Sequence, residues 1–418
     1  MFGKKKPEVL VVGAGPVGLV AALTLARRGV RVQIIDEAWR PTAHAYALAL
    51  HPASLALLAE LDIAGPVIEE AYQVDGIGLY EGTERRERLS IGTSGGVYPH
   101  VAVMRQSSLE GLLVDALAEH KVKIDWNHRL ARMTQGDGSV AVSVDKLEKD
   151  TTGYAVTHSS WVVASGHDFD VPYVIGADGH RSLVRRQLRM DFPEVGPAKH
   201  FAVFEFATDF DFGHELRLVL NETNANVAWP LPDGNCRWSF ELPGYDAPKD
   251  QRHKDRHMYE LGGMRYPQLE EDNLRSLLAE RAPWFDGSIG DIRWRLVVRF
   301  ERRLVKSFGA DRIWLAGDAA HMASPIGIQS MNVGIQEAHR LAESVADTLQ
   351  GKADDKALAA YEKERVTQWR QLLDLGGKLK ATEATPEWLR PYASELVMGL
   401  PASGAELDGL TKQLGIEI

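Results

Sequence analysis

Apolar positions along this 418-residue chain change period early, and that change sets the fold class. Val9 to Val12 is an unbroken apolar run, the length of a strand buried on both faces. The nearly all-apolar stretch from Pro16 to Ala26 follows and ends at Arg27-Arg28-Gly29, with basic residues in the last turn and glycine just beyond it, as a helix ends. Val30 to Ile35 alternates as a second strand, closed by Asp36. A hydropathy scan alone would take residues 9–26, behind Lys4-Lys5-Lys6, for a signal segment or a membrane span. Gly13, Gly15, Pro16 and Gly18 divide that stretch into strand and helix, so the expectation is a soluble, cytoplasmic protein with no integral membrane segment.

Further along, LALLAEL after His51-Pro52 predicts a helix, and residues 77–92 alternate as strands leaving the first domain. The stretch from Val103 predicts a strand end, a loop at Arg105-Gln106-Ser107 and an amphipathic helix capped by Ser107 or Ser108. Residues 122–163 read as strands, with turns at Gly136-Asp137-Gly138 and near Gly153. Tyr173 to Gly176 is an apolar strand running into Ala177-Asp178-Gly179. Residues 200–241 alternate as an antiparallel sheet, apolar on one face. Ile313 to Ala316 is a strand reaching Gly317-Asp318, and a helix is expected to begin near Met331-Asn332. The last seventy or so residues read as helices, with Thr385 a candidate cap.

Composition narrows the function. The net charge of −10 argues against a nucleic-acid partner. The single cysteine, Cys236, excludes an internal disulfide and any multi-cysteine metal site.

The candidate chemistry lies in three motifs. Gly13, Gly15 and Gly18 have G-x-G-x-x-G spacing, with Pro16 opening the helix. The first glycine permits a tight turn, the second lets a pyrophosphate approach the backbone, and the third lets helix and strand pack closely. Asp36, with Glu37 beside it, supplies the carboxylate for ribose hydroxyls. Strand, glycines, helix, strand and terminal acid together predict a dinucleotide site. Asp178 and Asp318, each at a strand's end beside glycine, suit a polar ligand at the sheet edge. His321 is a candidate base, though a structural histidine bonded to a loop carbonyl is the plainer reading.

In this order, GAGPVG, GADG and GDAAH…P…MN resemble the single-component FAD-dependent aromatic hydroxylases, the 4-hydroxybenzoate hydroxylase group of flavoprotein monooxygenases. The resemblance spans Val9 to Leu349. It implies an α/β fold: a GR2-type Rossmann FAD-binding domain interrupted by an antiparallel β-sheet substrate domain, with a C-terminal helical segment. The expected division is 1–75, 101–188 and 301–350 for FAD, 76–100 and 189–300 for the substrate sheet, and 351–418 for the helical segment. It also implies hydroxylation of an electron-rich aromatic molecule through a flavin C4a-hydroperoxide, with O2 and NADPH or NADH as co-substrates, in a monomer or homodimer.

Site roles follow by motif position. Arg105 and Gln106 resemble the pair at the flavin side chain. Asp178 and Gly179 belong to the motif shared by FAD and NAD(P)H. Gly317 and Asp318 resemble the ribityl-binding turn. Pro325 and Gly327 are expected beside the isoalloxazine ring, with the Met331 and Asn332 backbone toward its pyrimidine end. Phe204, Trp229 and Trp238 are candidates for the substrate pocket. The candidate catalytic residues are Pro325 and Arg217, the latter to pair with an acidic or phenolate substrate; no metal is expected.

Two departures stand out. Where the family commonly has P-x-G-G-Q-G-M-N, this chain has Ile328 and Ser330 in place of two glycines. That predicts a stiffer loop on a different path, unless Ile328 is held at positive φ under strain. Tyr46 stands where the family has an arginine, which weakens the case for ordinary NADPH docking. A reductase or dehydrogenase of the same superfamily, and a flavoprotein that binds ligand without turnover, are the competing expectations.

Overall fold

The strand Val9–Val12 lies inside a six-stranded sheet, between Tyr173–Gly176 and Val32–Asp36. The order is Gly309–Ala310, Ile313–Leu315, Tyr173–Gly176, Val9–Val12, Val32–Asp36, Ile124–Trp126. All neighbours are parallel except the first pair. In this computed structural model the described residues are 6–417, apart from 40–48, 94, 153–157, 246–256, 259–266, 324–325 and 355. The first helix, Pro16–Arg27, is apolar almost all round because it packs against both Gln106–Glu119 and Gln329–Leu349. The chain leaves this domain for a three-stranded sheet, His128–Gln135, Val140–Thr152 and His158–Val171.

The second large sheet runs Ile292–Leu304, Glu194–Ala207, Asn235–Glu241, Ala225–Leu231, Glu215–Leu220, Gly76–Glu81, Glu84–Ser90. It is antiparallel except where Glu215–Leu220 meets Gly76–Glu81. The expectation of one apolar face needs correction, because both faces are covered. Phe201, Val203, Leu216, Leu218 and Trp229 join the core shared with the six-stranded sheet and its helices. Ala202, Phe204, Phe206, Trp238 and Phe240 pack with the helix Glu271–Arg281.

Two element boundaries also differ from expectation. The helix Gln106–Glu119 takes Arg105 as its N-cap with no side-chain cap, so Ser107 and Ser108 lie inside it. The helix expected near Met331 begins at Gln329. After it, the chain forms Lys356–Leu372, Ala393–Gly399 and Ala405–Gln413. The last two return to the body: Glu406 accepts the Gly92 N–H at 2.7 Å, and Gln329 Nε2 donates to the Leu400 carbonyl at 3.3 Å. Among the described residues no helix is long and apolar enough to cross a membrane, and no cluster of metal-ligating side chains occurs.

Candidate functional site

The three glycines of the first motif do different work. A Cβ on Gly13, which has φ +104°, would lie 2.3 Å from the Ala177 carbonyl oxygen, and one on Gly18 would lie 1.9 Å from the Gly13 carbonyl oxygen. Those two permit strand, turn and helix to close on one another. Gly15 has no atom within 4 Å of a would-be Cβ; it opens into a cleft of about 340 Å³ lined also by Asp36, Glu37, Arg129, Asp178 and Arg186. Asp36 Oδ2 accepts the Ala14 N–H at 2.6 Å and Oδ1 the Ala38 N–H at 2.7 Å. Burial raises the Asp36 carboxyl above its ordinary range, against the pull of those two bonds.

Asp178 sits on the facing wall. Its Oδ2 accepts the N–H groups of Leu183 at 2.6 Å and Val184 at 3.1 Å, while its buried Oδ1 has no hydrogen-bond partner. Burial raises its pKa as well. A buried, unsatisfied oxygen in a cleft is costly unless a ligand donates to it. A helix N-terminus, an open glycine, the acids Asp36, Glu37 and Asp178 and the arginines Arg129 and Arg186 fit a dinucleotide. Arg129, from the small sheet, was not anticipated, since nothing local in HRLARM marks it as a site residue.

The turn expected from the resemblance to meet the ribityl chain follows the Ile313–Leu315 strand. Gly317, φ +63°, is pressed against Val17 and Gly334, and the half-buried Asp318 follows it in the short turn Gly317–Ala319. Asp318→Ala is expected to weaken FAD binding by roughly 10- to 100-fold, the loss of one charge-assisted hydrogen bond of about 1.5–3 kcal/mol, and more than Asp178→Ala does. Fluorescence titration of the FAD-free protein measures this; affinity equal to wild type would contradict the assignment.

Pro325 and Tyr46 lie outside the described residues; Ile326 to Asn332, the rest of the loop that the resemblance assigns to the flavin, lie within them. A Cβ on Gly327 would lie 2.5 Å from the Leu400 carbonyl oxygen, so this glycine admits the C-terminal segment. Ile328 keeps a left-handed conformation, φ +53° and ψ +33°. The loop therefore follows the path a glycine would take, with strain and a buried isoleucine side chain. Ser330 lies inside the helix and accepts the Ala323 N–H through Oγ at 2.8 Å. Asn332 acts through its side chain: Oδ1 accepts the His51 N–H at 2.8 Å, and Nδ2 donates to the carbonyls of Ala49 and Ile328, both at 2.9 Å.

His51, read from sequence only as a helix start, is a further brace on this loop. Its Nε2 bonds the Gly327 carbonyl at 2.8 Å, and full burial pushes its pKa down to about 3. The unfolded chain takes up a proton near pH 6.5 that the native state refuses. This contribution therefore lowers stability as pH falls from about 6.5 to about 3, by about 1.4 kcal/mol per pH unit. His51→Gln should flatten the acid limb of the stability curve, measured by denaturant unfolding at pH 7 and pH 5; identical slopes would contradict it.

The remaining candidates fall in other places. Gln106 donates to Glu110 at 2.8 Å on its own helix. His321 is fully buried; it bonds Glu337 at 2.7 Å and stacks on Trp369 at 3.7 Å, so it is a core residue with a carboxylate partner in place of a carbonyl. Phe204 and Trp238 fill the second core, against the helix Glu271–Arg281. Arg217 alternates with Leu216 and Leu218, so it points to that same face. There it pairs with Glu215 and donates to the Phe212 carbonyl at 2.9 Å. Trp229 faces the nucleotide domain.

Beside Trp229 is a group the sequence reading missed. Glu205 and Arg237, directly paired across adjacent strands, form a buried ion pair at 2.8 Å. Trp294 Nε1 donates to Glu205 at 2.8 Å, and Arg105 reaches Glu205 at 3.5 Å from the other domain. A glutamate inside FAVFEFA was the available signal, but its partners come from strands remote in sequence.

The profile of the family described as "FAD binding domain" matches residues 6–375. The chain is 29% identical over 385 residues to 6-methylpretetramide 4-monooxygenase of Streptomyces rimosus, covering 91% of this chain and 61% of that protein. It is 28% identical over 377 residues to pentachlorophenol 4-monooxygenase of Sphingobium chlorophenolicum, covering 88% and 63%. The chain thus spans less than two thirds of the length of these relatives. Among solved structures, p-nitrophenol 4-monooxygenase from Pseudomonas putida superposes with a TM-score of 0.70 at 20% identity, over 98% of this chain and 96% of that one.

Proposed function

Because the chain belongs to the FAD binding domain family, we propose that it is an FAD-dependent monooxygenase that hydroxylates an aromatic small molecule with NAD(P)H and O2. The observation that carries this reading is the convergence of the open Gly15 backbone, the Asp36 carboxylate and the orphaned Asp178 oxygen on one cleft. The relatives named as monooxygenases of ring compounds support the reaction type.

In this reading Gly15 and the start of the first helix take the pyrophosphate, Asp36 the adenosine ribose, and Asp318 the ribityl chain. When bound there, FAD would supply the redox chemistry that a monooxygenase needs. The protein excludes water: Leu216, Leu218 and Trp229 present an apolar face to the nucleotide domain. At that face Glu205 is paired with Arg237 and reached by Arg105. The Asn332 and His51 side chains hold the loop that would lie beside the flavin ring.

The test is oxygen uptake by the FAD-loaded protein with NADPH or NADH across a panel of phenols and polycyclic aromatics. The reading expects at least one compound to stimulate uptake several-fold. Reduction of a panel compound without oxygen, and no stimulated uptake, would replace it with a reductase.

A further inference from the structure

The long strand His158–Val171 forms one edge of the small three-stranded sheet. It pairs with Val140–Thr152 on one side, and among the described residues no strand pairs with its other side. Every residue from Trp161 to Asp168 is exposed. Of the five large apolar side chains exposed among the described residues, three are consecutive on this strand: Trp161 at 50%, Val162 at 40% and Val163 at 53%. Such an edge offers backbone N–H and C=O groups to another strand unless lysine, proline or a bulge blunts it. Residues 158–166 include no lysine, proline or acid. The one irregularity is at Ala164, where the register with Lys146 and Leu147 shifts, so the regular edge ends at Val163.

The pattern fits a second copy of the same strand. Its only acids, Asp168 and Asp170, lie toward its C-terminal end. Parallel pairing in register would set them beside their copies, which is destabilising. Antiparallel pairing about a two-fold axis at Val162 holds the two Asp168 positions about 40 Å apart. It sets Trp161 of one copy opposite Val163 of the other, a large ring against a small side chain, and the axis repeats that contact. Both residues project from the same face as Leu147, which lies opposite Val163. Val162 meets its own copy on the other face, where the neighbouring Glu148 is paired with Lys146 at 2.8 Å.

We infer that two copies of this chain associate through His158–Val171, joining their three-stranded sheets into one six-stranded sheet. So short a ladder buries less than the ~800 Å² per partner of a standard interface, so the dimer dissociates on dilution. Sedimentation velocity of the FAD-loaded protein over a wide concentration range should show a reversible monomer–dimer equilibrium. Val162→Lys, at an exposed position outside the FAD cleft, puts like charges across the axis and should weaken dimerisation at least 10-fold with FAD affinity unchanged. Gln135→Lys, on the opposite edge strand His128–Gln135, should leave dimerisation as in wild type. Cysteine placement reads the register, because Cys236 is buried and an introduced thiol is the accessible one. Oxidation should link the Val162→Cys variant into a dimer, whereas the Ser165→Cys variant, with its two thiols about 20 Å apart, should stay unlinked. A protein monomeric at every concentration, species larger than a dimer, dimerisation sensitive to Gln135→Lys and not to Val162→Lys, or linkage of Ser165→Cys in place of Val162→Cys would overturn the inference.

Discussion

Gly13→Ala is expected to abolish FAD retention and to lower the stability of the FAD-free protein by at least about 3 kcal/mol. The backbone there has φ +104°, and an added methyl would lie 2.3 Å from the Ala177 oxygen and 2.9 Å from the Asp178 nitrogen. Those are backbone atoms at the end of a central strand, so no side chain can rotate aside. The strain of that φ adds to the overpacking cost of about 1–3 kcal/mol. Gly15→Ala is the control that separates fold from function. Its methyl meets nothing within 4 Å, so the FAD-free protein should melt within about 2 °C of wild type, as a surface substitution does, while FAD affinity falls more than 10-fold because the pyrophosphate needs that space. Thermal unfolding and FAD titration of both variants measure this. A Gly13→Ala protein as stable as wild type, or a Gly15→Ala protein with full FAD affinity, would contradict the assignment.

Glu337→Ala should be the most damaging change remote from the cleft. The carboxylate is fully buried and accepts hydrogen bonds from His321 at 2.7 Å, from the Gly317 N–H at 3.2 Å and from the Trp369 indole. Three donors would lose their acceptor in a dry core, where each unsatisfied group costs about 1–3 kcal/mol; with partial relaxation the expected loss is about 3–5 kcal/mol. Gly317 precedes Asp318, so FAD affinity should fall too. Glu337→Gln keeps the volume and one acceptor oxygen and should lose about half as much. Denaturant unfolding decides; a loss below about 1 kcal/mol for the alanine variant would show that the network is dispensable.

How much of this was legible in the sequence depended on the range of the determining contact. The strand, glycines and helix of the first motif were readable because glycine spacing and apolar period are local. The alternation of residues 200–241 predicted strands, but alternation cannot say which face meets the nucleotide domain. Phe204 and Trp238 face the second core, against the helix Glu271–Arg281, with Arg217 on the same face, and Trp229 faces the first. The Glu205–Arg237–Trp294 group depends on register across three strands. Ile328 shows a different limit: a β-branched residue argues against positive φ locally, and the bonds from His51, Asn332 and Ser330 around it fix the loop regardless.

The account's central claim is that this chain carries FAD and uses it to put one atom of O2 into an aromatic compound. The most direct test is single-turnover reaction of the FAD-loaded protein with NAD(P)H, a stimulating aromatic and 18O2, with the product analysed by mass spectrometry. The account predicts one 18O atom per product molecule in the FAD-loaded protein and no product in the FAD-free protein. Product whose new oxygen comes from water, or product formed equally well without O2, would contradict it.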